Sequence, residues 1–221
     1  MGPLADRIRP EKLEDFVGQT HLIGHDKLLY KIIKSGNISN MIFYGPSGTG
    51  KTTMANIAAK MCNKRLYKLN ATNASVSDVK AIIAEVGAIG SENGILLYLD
   101  EIQNFNKKQQ QSLLEVIENG SVTLIASTTE NPYFYVYNAI LSRSSVFEFK
   151  PLEKEDVEKA VKRGVKILEK ETANKIKFEK GALDAIAQTC GGDVRKSLNT
   201  LELCVNASAD SPDGIIKITV A

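Results

Sequence analysis

The chain has 221 residues and a formal net charge of +2, with 43% hydrophobic and 24% charged residues. That length suits one to two domains with a real core, and the composition is that of an ordinary globular protein. No segment approaches 18 consecutive apolar residues, which excludes a membrane-spanning helix, and Met1–Arg7 lacks the apolar stretch of a secretory signal.

The three cysteines, Cys62, Cys190 and Cys204, are odd in number and widely spaced. That excludes a disulfide framework and any CxxC metal site, and it fits a reducing, cytoplasmic setting. A charge of +2 speaks neither for nor against nucleic acid, because a basic face can hide in a balanced total.

In chain order, His21 and His25 fall in a loop-to-helix region with no carboxylate pattern beside them, and read as surface or packing residues. The first apolar run, Met41–Tyr44, leads into Gly45-Pro46-Ser47-Gly48-Thr49-Gly50-Lys51-Thr52-Thr53. This is the complete G-x-x-x-x-G-K-[ST] pattern, placed after a strand and before the helix-forming run Met54–Met61. Glycines let the backbone curl so that successive N–H groups face one anion, and the helix N-terminus adds its positive end. Lys51 supplies a cation for β- and γ-phosphates, and Thr52 a hydroxyl for Mg²⁺.

Arg65–Leu69 is the second apolar run and Ile95–Leu99 the third, running directly into Asp100-Glu101. A buried strand that ends in two acids needs a reason, and a metal ion supplies one. Asp100 is the candidate to hold Mg²⁺ through its water shell, and Glu101 the candidate to polarise an attacking water. The plainer alternative is a strand end with two solvated acids. Tyr44 and Tyr98, at strand ends, read simply as packing. Lys107–Gln111 opens the next helix as a solvated face, with a DNA-facing role as the alternative.

Val122–Ala126 is the fourth run and carries Thr128 and Thr129 just beyond its end. In a doubly wound sheet ligands sit at the carboxyl ends of strands, so either threonine is placed to meet a phosphate or a water, with a plain strand or turn threonine as the alternative. Arg143 precedes the fifth run, Val146–Phe149, and Arg195 lies near the start of a late helix. Either suits charge on a transferring phosphate. Five short apolar runs alternating with helices read as a parallel sheet covered on both faces.

After Pro151 the pattern reads as helices alone. Glu153–Lys170 puts Val157, Val161, Val165 and Leu168 on one stripe. Glu179–Cys190 follows, closed by Gly191-Gly192. Asp193 caps a third helix with Val194, Leu198, Leu201 and Val205 inward. Ser208–Gly214 is a turn-rich loop, and Thr219 suits the start of a further helix, as expected of a fragment cut short, with a frayed natural terminus as the equal alternative. The expected division is an α/β nucleotide-binding core over 1–150 and a small all-helical lid over 151–221.

The combined set resembles the clamp-loader clade of AAA+ ATPases. It comprises Arg9-Pro10 with Phe16-Val17-Gly18-Gln19, the phosphate loop, Leu69-Asn70-Ala71-Thr72, Asp100-Glu101, Thr128-Thr129, Ser142-Arg143 and Gly192-Asp193-Val194-Arg195. Within that clade it is most similar to the family of replication-associated recombination protein A and the Werner-helicase-interacting protein. The pointers there are Pro3–Pro10, Val17–Leu22, Phe105-Asn106-Lys107 and Thr128–Pro132.

The resemblance implies a P-loop NTPase fold with a five-stranded parallel sheet, and ATP with Mg²⁺ as ligands. It places Arg9, Pro10, Val17 and Gly18 at the adenine and makes Asn70 a polar group that restrains the catalytic Glu101. Thr129 becomes the first sensor, Arg143 a finger acting on a neighbour's ATP, and Arg195 the second sensor. It further implies an ATPase, stimulated by DNA, that acts as a motor or loader in replication, recombination and repair of stalled forks. Its partners would be single-stranded, forked or gapped DNA, replication or repair proteins and further copies of itself. It would sit in the cytoplasm, on the nucleoid if bacterial.

The rival readings are a clamp-loader subunit, a Holliday-junction branch-migration ATPase, or a nucleotide-binding scaffold without turnover. The chain departs from the family at Gln103 and Asn104, where His and Arg are usual, which weakens DNA contact there. The resemblance also implies a C-terminal oligomerisation region, which is not expected within these 221 residues.

Overall fold

The computed structural model describes residues 2–87, 93–118, 120, 122–208 and 214–220. The elements before the sheet are α1 (Leu4–Arg7), α2 (Thr20–Ile23) and α3 (Leu28–Lys34). The α/β alternation then runs β1 (Met41–Tyr44), α4 (Lys51–Met61), β2 (Arg65–Asn70), α5 (Val76–Ala84), β3 (Ile95–Asp100), α6 (Lys107–Glu118) and β4 (Val122–Thr128). Two short helices, α7 (Pro132–Tyr135) and α8 (Asn138–Leu141), lead to β5 (Ser145–Glu148). The rest is α9 (Lys154–Thr172), β6 (Lys175–Phe178), α10 (Ala182–Thr189), α11 (Val194–Ala207) and β7 (Ile215–Ile218).

Five strands form one parallel sheet in the order β2-β3-β4-β1-β5. Strand side chains alternate between its faces. Met41, Phe43, Leu96, Tyr98, Ile125 and Phe147 pack with α3 and α4 on one side. Ile42, Ile95, Leu97, Leu99, Leu124 and Ala126 pack with α5, α6 and α8 on the other. Each fully buried Leu, Ile or Phe contributes about 2 kcal/mol, so both faces must stay covered. Among the described residues no helix is long and apolar enough to cross a membrane.

A third cluster gathers Val157, Val161 and Leu168 of α9 with Ile186 of α10 and Leu198, Leu201 and Val205 of α11. Gly164 lets α9 and α11 approach, since a Cβ there would lie 3.0 Å from Leu198 and 3.1 Å from Leu201. Leu4 and Ile8 from the N-terminus join this cluster, and Arg7 reaches Glu202 of α11 at 2.9 Å. The first residues of the chain therefore pack with the last helices rather than with the sheet.

The C-terminal part is not all-helical. β6 and β7 pair in parallel, Lys175 beside Ile215 through to Phe178 beside Ile218. Lys175-Ile176-Lys177-Phe178 alternates outward cations with inward apolar groups, a strand period, and Ile176, Ile216 and Ile218 fill the third cluster. The residues before Thr219 are thus a strand. The interior of the predicted 208–214 loop lies outside the described residues.

Candidate functional site

The carboxyl ends of β1 and β3 open into a cleft of about 880 Å³ that includes open solvent. One wall is Ser47 to Thr53, and opposite it stand Asp100 and Glu101. Arg9, Pro10 and Val17 line one end, and Arg195 projects from the first turn of α11. The lining also takes in Ala160 and Arg163 of α9, which the sequence reading did not single out. Arg163 Nη1 donates to Asp15 O at 2.9 Å, and its burial pulls its guanidinium pKa down.

The loop has its shape because three glycines allow it. A Cβ on Gly45, at φ +135°, would lie 1.9 Å from Phe149 O, and one on Gly50 would strike the Phe16 ring at 2.5 Å. Gly48, at φ +69°, faces Asp193, whose Oδ1 would sit 1.8 Å from an added Cβ. Val194 N donates to Gly48 O at 3.2 Å, so the start of α11 is tied to the loop backbone.

Lys51 Nζ donates to Gly45 O at 2.7 Å and to Pro46 O at 2.8 Å. Burial pulls its ammonium pKa down, while Asp100 and Glu101 pull it up and Arg195 opposes them. One lysine therefore senses the loop, both acids and the arginine of α11. Gln19 braces the loop from outside. Its Nε2 donates to Lys150 O at 2.6 Å and Thr49 O at 3.3 Å, and its Oε1 accepts from Lys150 N at 3.0 Å.

Tyr98 is more than packing. Its hydroxyl lies 3.0 Å from Thr52 Oγ1, 2.8 Å from Ser127 Oγ and 3.2 Å from Asp100 Oδ1. Ser127 Oγ in turn donates to Asp100 Oδ1. Burial first, and the Asp100 carboxylate second, push the Tyr98 hydroxyl well above the usual tyrosine range, so it stays protonated.

Glu101 sits at φ +56°, and its carboxylate accepts from the amide of Gln103. Among the described residues no group of three or more His, Cys, Asp or Glu could hold a metal alone. The hard oxygens of Thr52 and Asp100 fit Mg²⁺, which takes few protein ligands and completes its shell with phosphates and water.

Other predicted residues stand apart from the cleft. Gly18 packs against Leu152, 3.0 Å from where its Cβ would be. Asn70 is exposed and accepts from Thr72 N at 2.8 Å; the amide on Glu101 is that of Gln103. Thr128 is buried and Thr129 exposed. Arg143 is exposed, pairs with Glu118 at 2.8 Å and donates to Ala139 O at 3.0 Å. Gly45 and Pro46 meet the site through their carbonyls on Lys51.

Comparison with known proteins identifies similar chains and a similar fold. Replication-associated recombination protein A of Bacillus subtilis is 38% identical over 221 residues, 100% of this chain and 52% of its own length. The same-named protein of Escherichia coli is 36% identical over 96% of this chain and 48% of its own. The Dictyostelium discoideum ATPase WRNIP1 is 35% identical over 94% of this chain and 24% of its own. The chain thus spans about half or less of the length of these relatives. Among solved structures, the Thermotoga maritima RuvB Holliday junction branch migration motor superposes with a TM-score of 0.75 at 21% identity. It covers 96% of this chain and 69% of its own. Residues 41–152 match the ATPase family associated with various cellular activities, and the chain belongs to that family, AAA.

Proposed function

We propose that the chain binds ATP with Mg²⁺ in the cleft and hydrolyses it to drive work on DNA in replication, recombination and repair. The observation that carries this reading is the convergence on Lys51 of the loop carbonyls, Asp100, Glu101 and Arg195. Lys51 would turn from its loop carbonyls to the β- and γ-phosphates. Thr52 and Asp100 would hold the metal, which neutralises phosphate charge when bound, and Glu101 would polarise the water.

Arg9, Pro10 and Val17 would flank the adenine, with Gly18 packed behind them. Residues 151–221 would act as a lid whose Arg195 meets the phosphates. Arg143, facing solvent, would complete the site of a neighbouring copy, giving head-to-tail contacts that build a ring or spiral. Thr129 and Asn70 would then join the site through rearrangement at the rim. The similarity to replication-associated recombination protein A supports single-stranded, forked or gapped DNA and replication or repair proteins as partners. With such partners, turnover would be stimulated by DNA in the cytoplasm, on the nucleoid if the protein is bacterial.

The direct test is ATP turnover and calorimetric ATP binding by the chain and by Lys51→Ala. Loss of both in the variant is expected, and equal binding by the two would overturn the reading. Mixing Lys51→Ala with Arg143→Ala protomers tests the shared site. Partial recovery of turnover is expected, and no recovery at any ratio in an assembled sample counts against it.

A further inference from the structure

Strand parity brings a tyrosine to the metal corner. Residues 96, 98 and 100 of β3 face α4, and Ile125 of β4 faces the same way. Ser127, two residues on from Ile125, therefore lies beside Asp100, one step past the Leu99–Ala126 pair. Thr52 enters this corner from the first turn of α4. The tyrosine ring is 2% exposed, and phenylalanine would fill its place without the cost of burying a hydroxyl. The oxygen therefore needs a purpose, and its neighbours supply one.

A phenol carries one proton and an ionised carboxylate none. With Asp100 accepting from Ser127, the protons order themselves along one line. Thr52 donates to Tyr98 at 3.0 Å, Tyr98 to Ser127 at 2.8 Å, and Ser127 to Asp100. The 3.2 Å approach of Tyr98 to Asp100 is the weaker outlet for its proton. This order turns the Thr52 proton inward and leaves its lone pairs outward, as a cation ligand requires. It also pins one Asp100 oxygen.

We propose that Tyr98 is a positioning residue for magnesium. Its oxygen accepts the hydrogen bond of the Thr52 hydroxyl and, through Ser127, it fixes the Asp100 carboxylate, so both present lone pairs to the ion that arrives with the nucleotide. This rests on the ATP reading above. Removing partners of this kind typically costs 10–100-fold in metal affinity.

The test measures affinity for a non-hydrolysable ATP analogue by calorimetry, first in EDTA and then with Mg²⁺, in the unaltered chain, Tyr98→Phe and Ser127→Ala. Circular dichroism melting monitors the fold. In EDTA the three are expected to agree within about twofold, because phosphate contacts are untouched. The gain on adding Mg²⁺ is expected to fall by about tenfold or more in Tyr98→Phe, and by a similar factor in Ser127→Ala. A full magnesium gain in folded Tyr98→Phe overturns the proposal, as does an equal loss with and without the metal. If Tyr98→Phe fails to fold, Ser127→Ala, which keeps the ring, decides by the same criteria. Absence of analogue binding by the unaltered chain overturns the nucleotide reading, and this proposal with it.

Discussion

The cleft wall and the rim beyond β4 are built on opposite terms. Along the wall, Gly45 and Gly48 have no room for a methyl group, Lys51 and Gln19 are buried, and the polar groups of both meet partners inside the chain. Along the rim, Phe134 is 81% exposed with Tyr133 and Tyr135 beside it, and Arg143 meets exposed Glu118 and its own turn. A wall fixed from within can be complete in one chain. The rim leaves large apolar side chains and a cation exposed to solvent, where they contribute little to the stability of the chain.

That contrast can be broken, most severely at Gly45. Alanine there meets a main-chain oxygen that cannot withdraw, and the φ of +135° disfavours any side chain. We expect a loss of about 4 kcal/mol, a fall in melting temperature of roughly 10 °C, with ATP binding abolished. A melting curve within a degree or two of the parent would show that the wall is softer than described.

Gln19→Ala should act more mildly. It removes the three hydrogen bonds to Thr49 and Lys150, at a cost of about 2 kcal/mol by chemical denaturation. Substitution with no effect on the denaturation midpoint would mean that the brace is slack. Arg143→Ala sharpens the comparison from the other side. An exposed ion pair contributes little, so denaturation should shift by less than about 0.5 kcal/mol. Turnover of the assembled protein should nevertheless fall steeply. A stability loss near that of Gln19→Ala would place Arg143 among the structural residues instead.

The sheet was legible because its strands carry unbroken apolar runs. Met41–Tyr44 stands as read, and the others differ by one or two residues at their ends. The phosphate loop and the two acids were legible because each needs a fixed residue type beside a strand. β6 and β7 were missed although Lys175–Phe178 alternates, because a four-residue strand signals weakly when its partner lies some forty residues away. Tyr98 was misjudged for a different reason. Its ring behaves as core, and the worth of its hydroxyl depends on β4 lying beside β3, which strand order decides and local sequence does not. Gln19 likewise acquires its role from Lys150, 131 positions on.

Val194 N on Gly48 O joins α11 to the loop through main-chain atoms, and Leu152 N on Gly192 O at 3.2 Å ties the segment before α9 to the turn before α11. Such a coupling is indifferent to side-chain drift. Surface residues of α11 can be exchanged freely while the linkage persists, because every residue but proline carries the same N–H. Any tilt of the Gly48 peptide pulls on the first residue of a 14-residue helix, about 20 Å long, whose far end travels further than its anchored one. The loop and this helix thus share an anchor made of main-chain atoms alone, which substitutions along the rest of α11 leave in place.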